Sequence, residues 1–146
     1  MATEDELRQT RLTKAERLRE LGVLPYPNSW RSTPDVEDKR RRLVLLAADE
    51  EARAKLPLED ELSEDAPVLP LFGRVVAKRG PFLVIRTPHG DAQSLVRPDS
   101  LPERDAAMLK LVDLADHVLV QGPLIRTKTG ALALSARSYQ HLGKAL

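Results

Sequence analysis

The stretch from Gly73 to Gln93 constrains this chain most, because its turn signals cut it into short strands. Gly73 to Arg79 is a β-branched run ending in two cations. Gly80-Pro81 marks a tight turn, Phe82 to Arg86 a short apolar strand, and Thr87-Pro-His-Gly90 a second turn. Asp91 to Val96 resumes the sheet. Arg79, Phe82 and Gln93 then lie on neighbouring strands. A cation, a flat ring and an amide are the groups that hold an unpaired base: charge for phosphate, ring for stacking, amide for the base edge.

The sheet is expected to start near Val68. Beyond Val96, Ser100-Leu-Pro-Glu103 has capping-box spacing and predicts a helix to about Leu114, carrying Ala107, Leu109 and Leu111. His117 to Gln121 reads as a strand. Arg126-Thr-Lys-Thr-Gly130 reads as a hairpin loop with glycine at the positive φ, and Ala131 to Arg137 as the last strand, with Leu132 and Leu134 on one face. The order β-β-β-α-β-β is that of the OB-fold. The expected class is mainly β with α: a five-stranded Greek-key barrel with a helix between strands three and four, preceded by two N-terminal α-helices.

The first of those helices opens on a capping box, Thr3-Glu-Asp-Glu6, and places Leu7, Leu12, Ala15, Leu18 and Leu21 on one half of a helical wheel. Its other face alternates Arg, Lys and Glu, and Gly22 stands where a helix ends. Val23 to Trp30 is expected to be extended, because each residue before a proline is pushed from the helical region. Leu24, Tyr26 and Trp30 are expected to pin the first helix to the rest. Thr33-Pro34 caps a second helix running to about Lys55, with a basic cluster at Lys39 to Arg42. Residues 57 to 66 hold five acids and no base between prolines, the composition of a linker or mobile loop. Three parts are expected: a helical extension over 1–56, an acidic linker over 57–66, and a nucleic-acid-binding domain over 67–146.

Several function classes are disfavoured. No run of eighteen apolar residues offers a membrane span, and the acidic start argues against a targeting peptide. With no cysteine, thiolate chemistry is excluded and a reducing cytoplasm is compatible. His89, His117 and His141 lack ligand spacing, so no metal site is expected. No phosphate-binding glycine loop or nucleophile elbow exists. The expectation is a non-enzyme on its own, with no catalytic residues and no cofactor. Residues 67–146 hold eleven Lys/Arg against six Asp/Glu, a mildly basic balance that suits a polyanion. With Tyr26, Trp30, Phe72, Phe82 and Tyr139 the only aromatics, one or two stacked bases are feasible and a long platform is not.

Arg11 to Asn28, Gly73 to Arg79, Leu109 to Leu114, Arg126 to Gly130 and Leu142 to Leu146 resemble segments of bacterial lysyl-tRNA synthetases. The resemblance covers most of the chain apart from roughly 35–66, and implies that family's N-terminal anticodon-binding OB domain without its class II catalytic domain. It suggests a stand-alone relative or an excised domain. It places the family's strand-one arginine on Arg79, its stacking phenylalanine on Phe82 and its base-reading glutamine on Gln93. Departures are a shorter loop between Arg79 and Phe82, Ala131 in place of an acid after Thr-Gly, and Thr87 in place of an Asp.

Three functions follow as expectations. The first is a tRNA or single-stranded RNA binder that holds a uridine-rich anticodon loop. Phe82 would stack a base, Gln93 and Arg79 would read its edge, and Arg74, Lys78, Arg86 and Lys128 would neutralise phosphate. The second is a protein-interaction module docking on a synthetase, another partner or a second copy, with a degenerate RNA face. The third is a general single-strand binder, disfavoured by the few aromatics.

Overall fold

The computed structural model describes residues 3–20 and 33–144. The expectations for Leu21, Gly22 and the extended run with Leu24, Tyr26 and Trp30 lie outside the described residues.

The three-strand meander forms as its turns dictate. Strands β1 (Leu69–Arg79), β2 (Phe82–Thr87) and β3 (Gly90–Leu95) pair antiparallel in sequence order. Gly80 takes a φ of 58° at the first turn, where a side chain would be strained. At the second turn the Thr87 hydroxyl donates to Gly90 O at 2.8 Å and accepts from His89 N at 3.1 Å.

The rest of the sheet departs from five strands. Among the described residues seven segments pair in the order β5-β6-β3-β2-β1-β4-β7, as an open, mixed sheet. The expected fourth strand, His117 to Gln121, forms as β4 (His117–Gly122), and past Pro123 the chain continues into β5 (Leu124–Arg126), which lies outside the expected strands. Proline has no amide to donate to a ladder. The expected fifth strand is β6 (Leu132–Ser135) and β7 (Ser138–Gly143), and it runs six residues past the expected end. The first halves pair with different neighbours from the second. β4 lies between β1 and β7, while β6 lies between β5 and β3, meeting β3 in the one parallel pairing. Each strand turns at Gly122-Pro123 or Ala136-Arg137, where Ser135 N donates to Pro123 O and Arg137 N to Gln121 O.

Among the described residues four α-helices accompany the sheet. In α1 (Glu4–Glu20) the capping box forms in both directions, Glu6 N to Thr3 Oγ1 and Thr3 N to Glu6 Oε2. Of its apolar stripe Ala15 and Leu18 are buried, while Leu7 and Leu12 are exposed. Thr33 caps α2 as expected, but the helix is shorter: α2 (Pro34–Ala47) stops, and Asp49 caps a separate α3 (Glu50–Ala54). The basic cluster splits. Lys39, Arg41 and Arg42 pair with Asp35 and Asp38 on the surface, whereas Arg40 is buried with its guanidinium 3.7 Å from the centre of the Phe72 ring. Arg40 Nη1 also donates to Phe72 O at 3.0 Å, so α2 is pinned to β1 by a side chain that looks solvated in sequence.

The expected capping box at Ser100 does not form. Pro98–Ser100 is a single 3-10 turn, and α4 (Glu103–Leu109) begins after Pro102 without a side-chain cap. A proline two residues after the serine sets the backbone there instead.

The main core gathers Leu18 and Leu43 from the helices with Leu71, Val75, Ile85, Val118, Val120 and Leu134 from the sheet. A second, smaller cluster of Leu95, Ile125 and Ala133 lies on the other face, with Leu62 and Phe82 packed against it. Because of it β6 is buried on both faces. Among the described residues no helix is long and apolar enough to cross a membrane, and no group of ligating side chains gathers to hold a metal.

Candidate nucleic-acid interface

Register decides which of the predicted residues share a face, because directly opposed residues in paired strands point the same way. Arg79 lies opposite Phe82, and Phe82 opposite Leu95. Ala77, Val84 and Gln93 form the next row, and Arg74, Arg86 and Asp91 a further one. All of these point to the face that carries the smaller cluster. Arg74 and Arg79 are an odd number of residues apart and would lie on opposite faces of a regular strand. A bulge between Val75 and Ala77 inserts one residue and brings them to the same side. Lys78 is turned from Arg79 by ordinary strand alternation and from Arg74 by the bulge. Lys78 lies opposite the buried Leu83, and its ammonium donates to Val112 O at 3.2 Å, away from Phe82.

Phe82 is half-buried in a cleft of about 840 Å³. Gln93, Arg97, Arg126 and Lys128 line it together with Leu58, Glu59 and Asp60. Gln93 Nε2 donates to Leu132 O at 3.2 Å, which leaves Oε1 as the free acceptor of the amide. The hairpin that carries Lys128 is built as expected. Thr127 N donates to Ala131 O, Gly130 N donates to Thr127 O, and Gly130 adopts a φ of 90°. Arg79 opens onto a separate depression, which shares Gln93 and Thr129 with the cleft.

The cations differ in how far they are engaged. Arg86 is held by Asp91 through two hydrogen bonds of 3.0 and 3.2 Å, and this carboxylate raises the guanidinium above its ordinary pKa. Arg74, Arg79 and Lys128 form no ion pair among the described residues.

The acidic stretch supplies one wall of the cleft. Glu59–Glu61 forms a 3-10 turn, Arg126 N donates to Pro57 O at 2.8 Å, and Arg126 Nε donates to Leu56 O at 3.2 Å. Glu59 pairs with Arg97 at 2.7 and 2.8 Å. Leu62 packs against the small cluster. Sequence reasoning singled out neither Arg97 nor this wall. The available signal was Leu58 and Leu62, two apolar residues four apart in an otherwise charged run.

The chain is similar over nearly its whole length to proteins named lysine–tRNA ligase. It is 36% identical over 147 residues to that of Anaeromyxobacter sp. (strain K), covering 98% of this chain and 26% of the relative. To that of Streptococcus suis (strain 05ZYH33) it is 31% identical over 155 residues, covering 100% and 29%. It is homologous to a segment of the lysine–tRNA ligases. The chain spans about a quarter of the length of these lysine–tRNA ligases. A third, from Dehalococcoides mccartyi (strain ATCC BAA-2100 / JCM 16839 / KCTC 5957 / BAV1), is 31% identical over 147 residues. The similarity takes in residues 35–66, which the motif resemblance left out. No family model matches the chain.

Proposed function

We propose that this chain is a tRNA-binding module that holds an unpaired anticodon loop in the Phe82 cleft. The observation that carries the reading is the shared cleft itself, where a half-buried ring, an amide and a cation line one space. Homology to lysine–tRNA ligases supports a tRNA as the ligand. In this reading the bent pairs β4–β5 and β6–β7 count as two strands, giving the five of an OB barrel. Residues 67–146 form the binding unit, 1–56 the helical extension and 57–66 the acidic connection. Catalysis of aminoacylation would belong to other parts of such a ligase, and the chain would act in the cytoplasm.

Phe82 stacks one base, contributing about 1–3 kcal/mol. Gln93 Oε1 accepts from the base edge, so the base must present a donor there, as uridine does with its N3–H. Lys128, Arg79 and Arg74 neutralise phosphate, with Arg86 already balanced by Asp91. Lys78 is left out of this role by its position on the other face.

Anisotropy titration with a lysine-type anticodon stem-loop, beside one whose central uridine is replaced, tests the reading. Phe82→Ala is expected to weaken binding about tenfold, in line with one stacked base, and to abolish the uridine preference. Equal affinity for both loops, unchanged in Phe82→Ala, would refute it.

A second reading, docking on a protein partner or a second copy, is favoured by one observation. Leu7 and Leu12 are 49% and 36% exposed on a helix whose Ala15 and Leu18 are buried. Sedimentation across a concentration series tests it.

A further inference from the structure

We infer that Arg53 and Arg79 together form a phosphate subsite beside the Phe82 cleft, for the backbone of the nucleotide next to the stacked one. The inference rests on the RNA-binding reading above and extends the footprint onto the helical N-terminal part.

The two arginines come from elements far apart in sequence, α3 and the end of β1, and line one depression of about 430 Å³. It adjoins the Phe82 cleft, sharing Gln93 and Thr129 with it, so the two spaces are neighbours. Arg53 is half-buried and already oriented. Its Nη1 donates to Ala47 O at 2.6 Å, at the end of α2, while its buried Nε has no hydrogen-bond partner. A guanidinium held by one edge keeps donors on its other edges. Arg79 is exposed and makes no ion pair among the described residues. Among the described residues the only carboxylate on the depression, Asp91, is occupied by Arg86. Two cations lining one shallow depression suit a single phosphodiester, since guanidinium groups bind phosphate oxygens in a fork.

The test is the salt dependence of binding to the same anticodon stem-loop, using the full chain. For single strands each neutralised phosphate contributes about 0.7 to the slope of log K against log salt. Arg53→Gln and Arg79→Gln are each expected to flatten the slope by about 0.7 and weaken binding several-fold. The double variant is expected to lose no more slope than either single one, because both side chains serve one phosphate. Arg53→Lys retains the slope. If Phe82→Ala weakens binding while Arg53→Gln changes neither affinity nor slope, the subsite is wrong and the RNA-binding reading stands. If Phe82→Ala is also silent, both fall. Should Arg53→Gln disturb the fold by circular dichroism, neutral methylphosphonate linkages decide instead. One linkage next to the stacked base must weaken the wild-type complex and leave Arg79→Gln unaffected; the lack of such a linkage overturns the subsite.

Discussion

Lys14 and Asp113, 99 residues apart in the chain, meet with Nζ 2.6 Å from Oδ1. The contact latches α1 to the loop before β4. The other oxygen of Asp113 receives the ammonium of Lys144 at 2.6 Å, and Lys144 also reaches Asp116 at 2.7 Å and Leu111 O at 3.1 Å. The Lys144 side chain is fully buried, so its charge relies on these partners.

Asp113→Asn is therefore expected to destabilise the fold at neutral pH by about 2 kcal/mol, less than a wholly buried pair because Asp116 remains. Burial alone would raise the Asp113 carboxyl, but hydrogen bonds from Lys14 and Lys144 outweigh it and hold the group below its ordinary 3.8. A depressed folded value contributes stability that is fully present above the unfolded pKa and is lost as pH falls through the folded one. The gap between wild type and Asp113→Asn should thus be full at pH 7 and shrink below pH 3.8. Denaturant titrations at several pH values read it, and a gap that stays constant would contradict the assignment.

Gly122 sits at the turn between β4 and β5, where an added Cβ would lie 1.9 Å from Ser135 O and 2.8 Å from Ser135 C. Both atoms belong to the backbone and cannot swing aside. Gly122→Ala is expected to cost about 3 kcal/mol, the upper end of overpacking penalties. Gly130 has a positive φ but open space around it, so Gly130→Ala should cost only about 1 kcal/mol of backbone strain. Thermal melts of the two variants should rank in that order.

Glu59 and Arg97 form an exposed pair, with side chains 36% and 50% accessible, so the pair adds little to stability. It matters more for charge inside the cleft. Glu59→Gln should leave the melting temperature nearly unchanged yet tighten RNA binding and steepen its salt dependence, since Arg97 is released and one carboxylate is removed. An unchanged affinity and slope would show that nucleic acid does not pass this wall.

The sequence by itself determined the local pieces. Gly80-Pro81 and Thr87 to Gly90 delimit the meander, Thr3 and Thr33 start their helices, and Gly130 shapes the hairpin. These outcomes depend on backbone preferences and hydrogen bonds within a few residues, so they are legible without the fold. The Ser100 helix start misled because Pro102 overrode a capping pattern.

Only the tertiary structure decided which residues face one another. One bulged residue in β1 puts Arg74 on the same side as Arg79 and Phe82 and turns Lys78 from it. The acidic stretch is seated by Arg97, Arg126 and a small apolar cluster, all remote in sequence. Arg40 and Lys144 are buried because Phe72 O, Asp113 and Asp116 stand where they end. Such placements depend on long-range partners that satisfy a charge or cover an apolar surface, and no local period records them.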